Sequence, residues 1–212
     1  MALHELLRDE AFEVVALLTT VSEEFRRISH HGVRESLLDQ QASGIGIPLN
    51  KVYLPSGGNG GCTNEVYESI MNEAMLAYFR HGIRTVAFGD LFLQDLREWR
   101  EANLTKVNMR AIFPVWHRPT AAFAREVITL GYKARLSCAV SRLGASFAGR
   151  EYGEELLRDL PADADPCGEN GEFHSFVYDG PIFRHPITVS VGEIVERGGR
   201  YFADLLGRND VN

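Results

Sequence analysis

At 212 residues, with 45% hydrophobic and 24% charged side chains, the chain holds enough apolar material for one large folded domain or two small ones. A formal net charge of −7 argues against a dedicated nucleic-acid binder, which carries a basic face. The three cysteines, Cys62, Cys138 and Cys167, are odd in number and have no C-x-x-C spacing, which excludes a disulfide framework or zinc site as the organising feature. No apolar run approaches the ~20 residues that span a bilayer, and Met1–Arg8 lacks a charged region followed by an apolar one. A cytoplasmic protein with no membrane and no nucleic-acid partner is the expectation.

In chain order, Ala2–Asp9 reads as the end of a helix. The almost continuous apolar run Glu13–Thr20 predicts a buried strand. Val33–Ser43 is helical, closed by Gly44 and Gly46, and Lys51–Pro55 is a second strand. The run from Ser56 to Gly61 is a loop by composition, and no Lys-Ser/Thr follows it, so it is not a Walker loop. Thr63 or Asn64 caps a helix whose apolar positions Val66, Ile70, Ala74, Ala77 and Tyr78 keep helical spacing to Gly82. A strand at Thr85–Phe88, a helix at Leu93–Leu104, a strand at Ala111–Pro114 and a helix at Thr120–Leu130 follow. Strands alternating with helices predict a parallel α/β sheet. Beyond Tyr132 the rhythm changes. A strand at Lys133–Val140, a short helix near Tyr152–Leu160 and strands near 173–178 and 187–195 predict a smaller α+β portion. The expected boundary divides 1–118 from 119–212.

Chemistry-bearing residues concentrate in Cys167-Gly168-Glu169-Asn170-Gly171-Glu172-Phe173-His174. Two carboxylates and an imidazole lie within six positions, separated by glycines that allow positive φ. Alternation in the strand that follows sends Glu172 and His174 to one side and Phe173 to the other. Such carboxylates can hold Mg²⁺ or orient an amine, and histidine can shuttle a proton; a polar turn with exposed acids is the plainer alternative. Gly89-Asp90 directly follows the Thr85–Phe88 strand, at the rim where open parallel sheets bind ligands, although Asp90 serves equally as a turn or cap residue. His31 and Arg34 follow the first strand and offer an anion site, or a solvated helix start.

Together, Thr63-Asn64-Glu65-Val66-Tyr67-Glu68, Ala87-Phe88-Gly89-Asp90-Leu91, Phe113-Pro114-Val115-Trp116 and the 167–174 segment resemble the diphthine–ammonia ligase family, a branch of the PP-loop ATP pyrophosphatases (adenine nucleotide alpha hydrolase-like proteins). The resemblance extends over nearly the whole chain. It implies a HUP-type, Rossmann-like parallel sheet followed by a family-specific C-terminal domain. It also implies an AMP-forming ligase that uses ATP and Mg²⁺ to activate a small-molecule or protein-borne carboxylate for attack by ammonia. For diphthine itself the carrier would be modified elongation factor 2. On this resemblance Glu169, Glu172 and His174 are catalytic, Gly168, Asn170 and Gly171 shape the substrate loop, and Asp90, Gly89, His31 and Arg34 line the nucleotide side.

The family also opens with a strand and an SGGKDS-type phosphate loop, and Met1–Leu7 resembles the helix that follows it. The expectation is therefore a sheet lacking its first, central strand, with weakened stability and poor ATP affinity in residues 1–212. A start placed at an internal methionine is favoured over natural loss. The rivals are a non-catalytic binding remnant of the fold and, more weakly, a metal-dependent hydrolase using the acidic loop.

Overall fold

A computed structural model describes residues 1–29, 31–55, 62–208 and 210. Helix α1 (Ala2–Arg8) precedes strand β1 (Leu17–Ser22), helix α2 (Glu35–Ile45) and strand β2 (Leu49–Leu54). Helix α3 (Asn64–Arg80) leads to β3 (Thr85–Ala87), α4 (Gln94–Thr105), β4 (Arg110–Ile112) and α5 (Thr120–Thr129). Strand β5 (Lys133–Val140), helix α6 (Glu154–Asp159) and strands β6 (Phe173–Asp179), β7 (Val189–Arg197) and β8 (Arg200–Gly207) complete the chain.

Local chemistry accounts for the boundaries. The Thr63 hydroxyl accepts the Val66 amide and caps α3. Gly46, at φ +82°, takes the left-handed position that ends α2. The strand expected at Lys51–Pro55 spans Leu49–Leu54, and the glycine-rich loop expected at 56–61 lies outside the described residues. Two sequence expectations shift. The first strand starts at Leu17 rather than Glu13, so it begins where the chain meets the Pro48 carbonyl rather than where apolarity begins. Strand β8 was not expected at all. Its signal is Gly198-Gly199, both at positive φ between Arg197 and Arg200, a two-residue turn that joins β7 to β8 as a hairpin.

The C-terminal strands form an antiparallel sheet in the order β6-β5-β8-β7. The expected parallel sheet is instead two separate parallel pairs, β1 with β2 and β3 with β4. The molecule is thus a mixed α/β protein with small parallel sheets and one antiparallel sheet. The Leu17 amide donates to Pro48, which turns the odd residues of β1 towards β2 and the even ones, Leu18 and Thr20, towards the other edge. The Phe88 amide donates to Ile112, so Thr85 and Ala87 face the free edge of β3. No described strand pairs with either edge. Leu18 and Val86 nonetheless pack on one apolar cluster with Met75, Leu104, Val107 and Met109 beneath α3 and α4. A cavity of about 570 Å³ is lined by Leu17, Leu18 and Thr19 of β1, Gly89 and Leu91 beyond β3, and Phe176 of β6.

Unpaired ladder groups leave amides without protection. Hydrogen exchange at Leu18, Thr85 and Ala87 is therefore expected to outpace exchange at Thr19 and Val86, whose amides point into paired edges. Equal protection on both sides of β1 and β3 would contradict this account of the split sheet.

The two portions of the chain share apolar cores. Val33 and Leu37 of the first portion pack with Phe176, Ala203 and Leu205 of the antiparallel sheet. Leu91, Val115 and Phe123 form a second shared cluster. A larger cluster under the sheet gathers Leu136, Leu156, Tyr152, Phe173 and Ala124. Each fully buried leucine there contributes roughly 2–3 kcal/mol of apolar burial. These cores fix the rim of β3 against the loop that enters β6.

Candidate functional site

The loop Asp165–Glu172 is shaped by its own carboxylates. The Asp165 carboxylate accepts the amides of Cys167 (3.1 Å) and Glu169 (2.9 Å), and the Asp165 carbonyl accepts the Gly168 amide (2.9 Å). The Glu172 carboxylate accepts the Asp165 amide at 2.9 Å and the Asn170 side-chain amide at 3.3 Å. Tyr152 donates its hydroxyl to the Pro166 carbonyl, pinning the loop to the core below. Gly168 and Gly171 take φ of +71° and +83°. A Cβ on Gly168 would sit 2.8 Å from the Phe173 carbonyl oxygen, so both conformation and space require glycine there. Gly168→Ala is accordingly expected to cost about 2–4 kcal/mol in chemical denaturation, from left-handed strain plus displacement of Phe173.

From this loop Glu169 reaches across to the rim of β3. Its carboxylate accepts the Leu91 amide at 2.6 Å, with the Phe92 amide also directed at it. The Leu91 carbonyl in turn accepts the His117 amide at 2.7 Å. The segment after β4 and the acidic loop thus both dock on the turn at 89–92. Asp90 in that turn is buried and ion-paired with Arg100 of α4, at 3.0 Å. The next strand provides a second crossing: the rings of His174 on β6 and His31 after β1 stack with centroids 4.2 Å apart, tilted by 31°.

The sequence-predicted residues separate into two groups. Glu169, His31 and Gly89 line the cavity between the half-sheets, His174 touches it through His31, and Asp90 stands behind Glu169. Glu172 turns away into its own loop, 3% exposed, and holds the loop together with Asn170. Arg34 is not on the cavity. Its guanidinium grips Asp204 of β8 through two bonds, at 2.9 and 2.6 Å, beside Arg27 on the same carboxylate. Asp165, Leu91 and Asp204 were not singled out from sequence. For Asp165 the signal was available: Asp followed by Pro marks a turn start.

Opposite environments drive the two glutamates apart. Burial pushes the Glu169 carboxyl above the ordinary range; the Leu91 and Phe92 amides oppose this, while Asp90 and Asp165 add to it. At Glu172 burial acts in the same direction but is outweighed by the Asp165 amide, its own amide, Asn170 and Arg142, so the net shift is downward. Two carboxyls held apart in this way suit one permanent anion and one proton acceptor. Cys167 is no nucleophile: burial pushes its thiol up to about 12, and its sulfur faces the Thr120 carbonyl.

Comparison with known proteins gives a consistent likeness. A model of the diphthamide synthase C-terminal domain matches residues 119–205. The mouse diphthine–ammonia ligase is 24% identical over 202 residues, covering 85% of this chain and 70% of its own length. The human diphthine–ammonia ligase is 23% identical over 198 residues, with the same coverage. The zebrafish diphthine–ammonia ligase is 29% identical over 122 residues, covering 53% of this chain and 47% of its own. The chain is similar to the diphthine–ammonia ligases over most of its length, and its residues 119–205 match the diphthamide synthase C-terminal domain. The family's C-terminal domain model spans α5 to most of β8, so Asp165, Glu169, Glu172 and His174 fall within it, while His31, Gly89 and Asp90 lie before it.

For a diphthine–ammonia ligase relative, the expected ligands were ATP and Mg²⁺. No group of three or more His, Cys, Asp or Glu side chains among the described residues could hold a metal ion. Among the described residues, the cavity lining includes Glu169 and His31 but no lysine or arginine, so these residues offer no side-chain cation to a triphosphate. No described helix is long and apolar enough to cross a membrane.

Proposed function

We propose that this chain carries the acyl-accepting half of an ATP-dependent ligase that joins ammonia to a carboxylate, as the name of its relatives, diphthine–ammonia ligase, describes for them. The observation that carries the reading is Glu169: a buried carboxyl, pushed towards protonation, projected from the family's C-terminal portion onto the strand rim where open α/β sheets take their ligands. ATP, when bound, supplies activation of the carboxylate by transfer of its AMP group with loss of pyrophosphate.

The chain's own residues have the remaining tasks. Ammonia adding to an activated carboxyl must shed protons as the C–N bond forms, and Glu169 is the group placed to accept one. Glu172 keeps the loop closed and stays ionised. The Asp165–Glu172 loop covers the apolar cavity and excludes water that would hydrolyse an activated acyl group. Gly89 gives the backbone close approach at the rim, and the His31–His174 stack closes the opposite side.

Among the described residues no lysine or arginine lines the cavity to hold a phosphate, and β1 borders that cavity through Leu17, Leu18 and Thr19. A strand inserted between β1 and β3 would satisfy the unpaired groups of Leu18, Thr85 and Ala87 and would bring a loop to the rim beside Asp90. This reading includes such a strand, followed by a phosphate-holding loop of the family's type. The substrate proposed is the relatives' diphthine or another carboxylate of similar size. The test is product analysis with the protein purified from its own host: AMP and pyrophosphate should form only when ammonium and the carboxylate are both present. ADP as the nucleotide product, or turnover indifferent to ammonium, would sink the reading.

A further inference from the structure

Asp165 has so far figured only as the start of the covering loop, yet it bonds the backbone of Cys167, Gly168 and Glu169. Its carboxylate accepts the amide of Glu169 itself and that of Cys167, two residues before it. Its own amide is taken by Glu172 at the far end of the loop. Its carbonyl receives Gly168, the residue that needs left-handed φ. One buried residue, 9% exposed, thus closes the turn through four hydrogen bonds, two from its carboxylate and two from its backbone, immediately before Glu169 leaves for the Leu91 amide.

We propose that Asp165 is the positioning residue of this site: its carboxylate aims Glu169 at the β3 rim and holds a second negative charge beside it. The cations to set against this charge, among the described residues, are the Met1 α-amino group at the start of α1, which lines the same cavity as Glu169, and Arg100 of α4. The turn after β3 presents Asp90, whose charge is already engaged by Arg100 of α4. The loop itself presents Asp165 and the neutral Cys167 thiol. The segment after β4 sends only the His117 amide, and that to the Leu91 carbonyl. A carboxylate at Asp165 therefore raises the proton affinity of Glu169 through the same geometry that aims it. A residue that merely tied the turn would aim Glu169 without altering its titration. The inference rests on the proposed role of Glu169, but its test needs no turnover.

The experiment is carboxyl-carbon NMR of residues 1–212 with labelled glutamate, titrated in parallel for the native chain and for Asp165→Asn. Asparagine's carbonyl can still accept the Cys167 and Glu169 amides while removing the charge. The expected result is a folded variant in which the Glu169 carboxyl titrates at lower pH than in the native chain, with the Leu91 amide still shifted by its bond. Asp165→Ser, whose hydroxyl can accept one of the two amides, should move the titration in the same direction. An unchanged Glu169 midpoint in either folded variant would overturn the proposal. Failure of both variants to fold would also overturn it, by assigning Asp165 to the stability of the chain rather than to the site. Loss of the ligase reading with the titration shift intact would leave Asp165 as the group that tunes a carboxyl of another function.

Discussion

Glu169→Gln is expected to lower ammonium-dependent AMP formation by about 10²–10⁴-fold, the range that a positioned proton acceptor contributes. Glutamine keeps an oxygen for the Leu91 amide, now 2.6 Å from the carboxylate, so the docking of loop on rim should survive. The stability effect separates this loss from damage to the fold. Because the folded environment raises the Glu169 pKa, its ionised form costs stability above that pKa, and the cost vanishes once pH falls below the unfolded value of about 4.3. The amide removes that cost. Denaturation at neutral pH should therefore show a variant as stable as the native chain or more stable, with the difference disappearing in acid. A variant that loses activity together with several kcal/mol of stability would mean that Glu169 is a structural pin.

The second large effect concerns the join between the two portions. Asp204 of β8 accepts from Arg27 Nη2 at 2.9 Å, Arg34 Nε at 2.9 Å and Arg34 Nη2 at 2.6 Å. Asp204→Ala leaves Arg27 without its anion and Arg34 with only Asp210, 3.9 Å away, and should cost about 2–3 kcal/mol at pH 7. The hydrogen bond from Arg34 is the main reason that Asp204 is held below the usual carboxylate range; burial opposes it, and Arg27 reinforces it. With the folded pKa depressed, this stabilisation is complete above the unfolded pKa of about 3.9 and is lost as pH falls through the folded value. The native chain and the variant should therefore converge in stability below about pH 4, as read by urea midpoints across pH. A constant gap down to the lowest accessible pH would show that packing, not charge, is lost.

Arg34 also shows where sequence reading stops. A guanidinium after a strand end is equally suited to phosphate and to a carboxylate, and the carboxylate that takes it is 170 residues away on an unexpected strand. No local pattern carries that partner. The acidic loop was legible as a constrained turn because its glycines and the strand after it announce themselves, and Phe173 does alternate into the core. The division of labour within it was not legible. Glu169 and Glu172 are equivalent by residue type, and only the three-dimensional positions of the Leu91 and Asp165 amides send one across to the rim and the other into the loop. Helix α3 follows from its apolar period and its Thr63 cap, which are local signals. Whether β1 and β3 lie in one sheet depends on what fills the space between them, which spacing within either strand does not encode.

The central claim is chemical: ammonia replaces an oxygen of a carboxylate that has been activated by AMP transfer, at a site whose proton acceptor is Glu169. Oxygen tracing tests it most directly. With the protein from its own host and a carboxylate substrate labelled with ¹⁸O in both oxygens, one labelled oxygen should appear in the phosphate of AMP and the other should stay in the amide. Glu169→Gln should suppress both products together. AMP free of label while amide accumulates, or label carried into inorganic phosphate with ADP, would contradict the account.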